Sequence, residues 1–304
     1  MNPPNLRRAD LMAGCLLLVG CASSPAGNEP AAPAPEPVGS PTAPPAEGEG
    51  RGPAVTYRPV RNAAYTMVRH DSLSLQYPDG ATQAQVRDRT AHLHLTVGEA
   101  GAPDAYAVTI VLDSLVALEN GAPVPLDSVA SSRGTRWTGT LTRSGELSAL
   151  TADRSSTLGD EVGSRLRLLF PSLPAEGARE GLTWTDTTQY QVVADAFQGT
   201  EQAVITYRAA EPAGESSGGS QEVIALQGTG SYTRSGTRSQ GDQELQMTAS
   251  GSRESVHRLG LDGVLVSGQG NESGKMEISV PALGQTVPVV QAGSYSITAA
   301  GSGN

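Results

Sequence analysis

From Val55 onward, large apolar residues recur at every second position between turn signals, the pattern of strands with one buried face. Leu73, Leu75 and Tyr77 alternate with polar residues before the turn Pro78-Asp79-Gly80, and Leu93, Leu95 and Val97 do the same after it. A denser run follows over residues 105–119, AYAVTIVLDSLVALE, with Val108, Ile110 and Leu112 in phase. Its density predicts a strand covered on both faces, closed by the turn pair Asn120-Gly121. Residues 137–142 and 146–151 form a predicted hairpin around Arg143-Ser144-Gly145, and residues 181–198 and 201–210 a second candidate pair. The tail from Gln221 keeps the alternation but is poorer in large apolar residues and richer in Gly, Ser and Thr.

One stretch changes period. In residues 157–170, TLGDEVGSRLRLLF, the apolar positions Leu158, Val162, Leu166 and Leu169 fall on one face of a helix. Ser155, Ser156 or Thr157 can cap it, Asp160 and Glu161 suit its first turn, Arg165 and Arg167 its last, and Pro171 stops it. Gly159 and Gly163 each weaken such a helix by about 1 kcal/mol relative to Ala, or else allow close approach to strands. Trp137 and Trp184, the only tryptophans, stand on either side of this segment and are expected to pack it onto the sheet. The expected fold is therefore mainly β, a curved antiparallel sheet packed on one principal α-helix.

The first 54 residues follow neither period. Arg7 and Arg8 precede a nine-residue apolar run, Leu11 to Val19, which is too short to span a bilayer and has the length of a secretory signal core. The run ends in Leu18-Val19-Gly20-Cys21. This arrangement resembles the lipobox of bacterial lipoproteins, which implies cleavage after residue 20 and lipidation of Cys21. Ala22 in the following position implies export to the outer membrane. Residues 22–54 carry nine prolines and one large aliphatic residue, Val38, and read as a disordered linker. Such a linker reaches on the order of 100 Å if fully extended and roughly 30 Å as a coil. The expected organisation is a signal peptide (1–20), a lipidated Cys and linker (21–54), and a β-rich domain (55–304) with a soft boundary at 211–220.

Composition narrows the function classes. The formal charge is −10, and removing the signal with its two Arg and one Asp leaves −11, which argues against nucleic acid and a polybasic membrane patch. Cys15 and Cys21 are the only cysteines, so the body has neither a disulfide nor a catalytic thiolate. His92 and His94 share one face of a strand and are low-ranking candidates for a shared metal ion, against the plainer reading of a polar outer face. Gly214-Glu215-Ser216-Ser217-Gly218 spells G-x-S-x-G, but its flanks are loop rather than the strand and helix that a nucleophile elbow needs. The acids Asp104, Asp113, Asp127, Asp153, Asp160 and Glu161 show no pairing in sequence. No catalytic site, resident metal or cofactor is expected.

The order of elements is similar to the half-barrel of periplasmic lipoprotein carriers and related lipid-binding lipoproteins. The segments Leu169-Phe170-Pro171-Ser172-Leu173-Pro174 and Gly181-Leu182-Thr183-Trp184 also resemble those of β-rich bacterial lipoprotein families without an assigned activity. The resemblance implies a non-catalytic binding or carrier module for an apolar or amphipathic ligand in the cell envelope. The alternative is a structural or protein-interaction lipoprotein of the outer membrane, and a hydrolase ranks third.

Overall fold

The computed structural model describes residues 46–77, 80–99, 104–194, 197–210, 223–240 and 243–300. The expected signal peptide, Cys21, the expected linker up to residue 45, the G-x-S-x-G segment and the expected boundary at 211–220 lie outside the described residues. Among the described residues, fifteen strands follow in chain order. They are β1 (Ala46–Glu47), β2 (Arg51–Val55), β3 (Val60–Gln76), β4 (Thr82–Glu99), β5 (Ala105–Glu119), β6 (Ala122–Pro123), β7 (Arg136–Thr142) and β8 (Leu147–Ala152). The series continues with β9 (Ala178–Glu180), β10 (Thr183–Ala194), β11 (Phe197–Ala210), β12 (Val223–Gln240), β13 (Gln243–Gly260), β14 (Leu265–Val280) and β15 (Gln285–Ala299). Paired strand is thus present from Ala46, ahead of the expected linker limit at residue 54: β1 pairs with β10 and β2 with β9.

Thirteen of these strands form one antiparallel sheet in the order β1-β10-β11-β12-β13-β14-β15-β3-β4-β5-β7-β8, with β6 beside β5. The sheet does not close. Its last strand, β15, pairs with β3, so the Gly/Ser/Thr-rich tail occupies the middle of the sheet rather than an appendage. Full-length pairing of β11 with β12 carries the sheet across the segment 211–222.

Among the described residues, two short helices lie on the inner face: α1 (Leu126–Ser132) and α2 (Thr157–Gly163). The expected helix over 157–170 is broken. Ser164 turns its hydroxyl onto the Glu161 carbonyl at 2.8 Å, and the chain tightens into a 3-10 turn, Leu166–Leu169. Leu158, Val162, Leu166 and Leu169 are nonetheless all buried, so the break keeps their common face. α1 escapes sequence reading because it has no apolar stripe; Leu126 is 83% exposed and its one buried residue is Ser132.

The principal core fills the space between α2, the 3-10 turn and the sheet. Both sheet ends contribute to it, Trp137, Leu141 and Leu147 from one and Trp184, Tyr207 and Ala209 from the other. Trp137 underlies Gly163, where a Cβ would stand 2.7 Å from its Nε1, so this glycine serves close approach. The segment 169–174 is threaded through the core by three hydrogen bonds. Tyr57 Oη donates to the Pro171 carbonyl (2.9 Å), Trp184 Nε1 to Ser172 (3.0 Å), and Leu173 N to Ser144 (2.8 Å). Gly145, at φ +90°, completes the hairpin turn and leaves room for the Tyr57 ring. β5 departs from expectation. It is covered on its inner face, while Val116 on the outer face is 56% exposed. The apolar density comes from an irregularity opposite His92/Leu93 that brings both Leu112 and Leu115 inward.

Candidate functional site

Strand register places a charged belt across the inner face, next to the principal core. One row runs Arg89, Arg69, Tyr295, Gly270, Ser255, Gly228, Tyr207, Trp184 across β4, β3, β15, β14, β13, β12, β11 and β10. The next row places Asp71, Gly293, Glu272 and Arg253 side by side. Two rows further, Arg234 stands opposite Glu201, and Glu201 opposite Tyr190. The glycines are spacers: a Cβ on Gly230 would collide with the Val204 carbonyl, and one on Gly251 with that of Ser273. Inner-face positions crowd in this way when a sheet coils strongly, and glycine lets the neighbouring strands and rings close in.

The belt is a continuous ion network. Arg69 grips Asp71 through two contacts of 2.6 Å and reaches Glu272 at 2.9 Å. Arg253 joins Glu272 (3.2 Å) to Glu201 (2.5 Å). Arg234 donates to Glu201 through Nε at 2.8 Å and through a second nitrogen, and Tyr190 donates its hydroxyl to the same carboxylate. The Arg253 guanidinium lies over the Tyr232 ring, 4.3 Å from its centre, while Gln291 donates to the Tyr232 hydroxyl.

Electrostatics follow from this packing. Burial opposes the charge on Glu201, yet the hydrogen bond and charge of Arg253, helped by Arg234 and Tyr190, hold its carboxyl down at about 2. Burial likewise opposes the Glu272 charge and is overcome by Arg165, Arg69, Arg253 and Arg234, so its carboxyl lies far below the usual range. At the boundary with the core, burial pushes His257 down to about 4, and the Leu168 carbonyl pulls the other way too weakly to compensate. His257 is therefore neutral at physiological pH, with Tyr295 Oη 3.3 Å from its Nε2.

Arg165 completes the site from the other side. It is the residue at the junction of α2 and the 3-10 turn, so the break in the helix is what positions it. Its guanidinium acts electrostatically on Arg69, Glu272, Arg234 and Asp71. Among the described residues it makes no ion pair within 4 Å.

Beyond the belt the inner face turns apolar again. Leu75, Leu245, Val280, Val287 and Val289 are buried there, and Leu73, Val192, Met247, Met276 and Ile278 are half-buried. This far zone is separate from the principal core.

The residues singled out in sequence fall elsewhere. His92 and His94 lie on the outer face, His92 Nδ1 3.0 Å from the Thr66 hydroxyl and His94 Nδ1 3.6 Å from Asp113. His70 pairs with Asp88 on the same outer face, whereas His257 lies inside, so folding does not gather the histidines. Among the described residues no group of three His, Cys, Asp or Glu side chains could hold a metal ion. The acids noted in sequence serve local structure. Asp104 pairs with Arg143 at 3.0 Å, Asp153 accepts from the Arg136 backbone at 3.0 Å, and Glu161 meets the buried Arg89 at 3.2 Å, tying α2 to β4. Sequence reasoning misses Asp71, Glu201, Glu272 and their arginines. Their signal is phase: each occupies the same alternate positions as the apolar residues of its own strand.

No protein-family model and no curated protein matches this chain. No described helix is long and apolar enough to cross a membrane.

Proposed function

We propose that this chain is a cell-envelope lipoprotein, anchored at the outer membrane through lipidated Cys21, that holds an apolar or amphipathic ligand on the concave face of its sheet. The observation that carries the reading is the unequal coverage of that face. α1, α2 and the 3-10 turn occupy one end, while at the other the inward side chains of Leu73, Val192, Met247, Met276 and Ile278 keep part of their surface open. Inward apolar side chains left half-covered inside a curved sheet suit an apolar ligand. The two methionines add adaptability, because the unbranched thioether chain repacks around ligands of different shape. The lipobox and the Pro-rich segment supply the tether that holds such a module at the membrane where its ligand is found.

The test is native mass spectrometry of the full chain purified from a bacterial envelope, with an organic extract analysed in parallel. Acyl chains on Cys21 stay with the polypeptide, so an extracted molecule is one held non-covalently, and its one-to-one stoichiometry separates a bound ligand from bulk lipid around the anchor. A stoichiometric apolar or amphipathic molecule is expected. A folded chain with nothing extractable overturns the reading.

A further inference from the structure

We propose that the ligand is an anionic amphiphile, its carboxylate or phosphate seated against Arg165, Arg234 and Arg253 and its chain lying along Met247, Met276 and Ile278. The proposal deepens the carrier reading and rests on it.

The first argument is saturation. Each carboxylate oxygen of the belt already serves an arginine: Asp71 gives both of its oxygens to Arg69, Glu272 one to Arg69 and one to Arg253, and Glu201 one each to Arg253 and Arg234. These three carboxylates are taken up by Arg69, Arg253 and Arg234, while Arg165, and Arg87 beside Asp71, have no ion pair within 4 Å among the described residues. A further anion restores the balance, and a planar guanidinium presents paired donors that suit carboxylate or phosphate. Burial, together with the neighbouring Arg69 and Arg234, pulls the Arg165 guanidinium below its ordinary value despite Glu272 and Asp71, the condition that an arriving anion relieves.

The second argument is access. Glu201 is fully buried, yet the side chains of Asp71, Arg234, Arg253 and Glu272 keep 22%, 22%, 18% and 16% exposure. The belt therefore faces water on one side rather than being sealed. Gln85, an inward neighbour of Leu73, is buried with its Oε1 unpaired, and the inward Arg87 beside Asp71 has an unpaired Nε, so donor and acceptor capacity also remains on β4.

The third argument is adjacency. Arg234 shares its row with Ala249, Met276, Val289 and Leu75. The next row away from the core carries Met247 and Ile278. A head group at the arginines thus leads its chain onto the half-covered apolar zone. A free phosphate uses the same cationic chemistry but leaves that zone unexplained.

The experiment uses the full chain carrying Cys21→Ser, so that no covalent acyl group competes, and titrates it with dodecyl phosphate, dodecanol and inorganic phosphate. Dodecyl phosphate is expected to bind best, with dodecanol weaker by about tenfold or more, since charge-assisted hydrogen bonds are lost. Arg165→Gln is expected to narrow that difference, since Arg234 and Arg253 remain, and Arg165→Lys to restore part of it. Equal binding of dodecyl phosphate and dodecanol to the Cys21→Ser chain overturns the anionic head group while the carrier reading stands. Inorganic phosphate binding as tightly as dodecyl phosphate, or no binding of either amphiphile, overturns both. The comparison among probes needs no further variant, so it remains decisive even where the Arg165→Gln chain folds poorly.

Discussion

The helix-covered end of the sheet and the charged belt beside it use the same backbone and the same period-two alternation, yet they are held together by different physics. At the covered end the inward positions are Leu, Val, Ile and Trp, whose burial is non-directional and roughly proportional to area. In the belt the inward positions alternate glycine with Arg, Glu and Tyr, and every contact is directional. A core of the first kind loses stability in proportion to the atoms removed. A network of the second kind loses far more when one partner goes, because the others stay buried and unpaired.

Glu201→Gln is the sharpest way to break the belt. The side chain is fully buried and takes Arg234, Arg253 and Tyr190 at once. Neutralising it leaves two guanidinium groups short of charge, an expected loss of about 3–5 kcal/mol at neutral pH. The folded carboxyl lies at about 2 against an ordinary 4.5, so its contribution is complete above pH 4.5 and is lost as pH falls through about 2. The difference between wild type and Glu201→Gln in urea denaturation should therefore shrink towards zero across that window. A difference that stays constant down to pH 2 would show that the network is held by shape rather than charge.

Leu166→Ala is the matching cut at the covered end. Leu166 is fully buried on the 3-10 turn, and its truncation should cost about 2–5 kcal/mol. Because no charge is touched, this loss should be the same at pH 7 and pH 3. A pH-dependent loss in urea denaturation would mean that the covered end and the belt unfold as one electrostatic unit.

The contrast also explains what was legible in the sequence. The strands, the hairpin around Gly145 and the apolar face Leu158–Val162–Leu166–Leu169 were readable because apolar periodicity reports burial directly. The fold class followed from them. The belt was not readable, because its inward face is written in residues that usually mark a solvated surface. In β12 the inner positions Leu226, Gly228, Gly230, Tyr232 and Arg234 pass from apolar to charged without changing phase. Only the register of β11 to β15 with one another and with β3, which is far from them in sequence, brings Arg253 to Glu201 and Arg69 to Glu272. The break at Ser164–Arg165 was hidden for a related reason, since Arg165 reads as an ordinary last-turn cation while the fold turns it inward. The outer-face histidines drew attention by spacing alone, which cannot distinguish the two faces of a sheet.

His257 lies where the two regions meet and offers a subtler separation. Burial sets it at about 4 against an ordinary 6.5, so it favours the folded state fully above pH 6.5 and that advantage is lost as pH falls through 4. The shift corresponds to roughly 3 kcal/mol, spread over a window above that of Glu201. Wild type should therefore weaken in two stages on acidification, and His257→Leu should remove the upper stage while leaving the lower one. The slope of stability against pH is the readout, since the variant's absolute stability also reflects how Leu fits against Gly268. A His257→Leu chain that still weakens between pH 6.5 and 4 would assign the upper stage to another group.

The smallest expected effect concerns the device that sets Arg165 in place. Ser156 caps α2, its hydroxyl accepting from Gly159 N at 3.2 Å, and α2 is only seven residues long. Ser156→Ala removes one cap hydrogen bond, an expected loss of about 1 kcal/mol, and Ser156→Asp should retain most of the stability. The loss should be modest because Leu158 and Val162 still anchor the helix in the core. The cap matters more for register than for energy, since a frayed first turn lets the α2 junction, and Arg165 with it, shift against Arg69 and Glu272. Ser156→Ala should therefore weaken dodecyl phosphate binding more than dodecanol binding, at a cost in urea denaturation well below that of Leu166→Ala. Equal weakening of the two probes would mean that α2 supports the concave face as a whole and does not position the arginine.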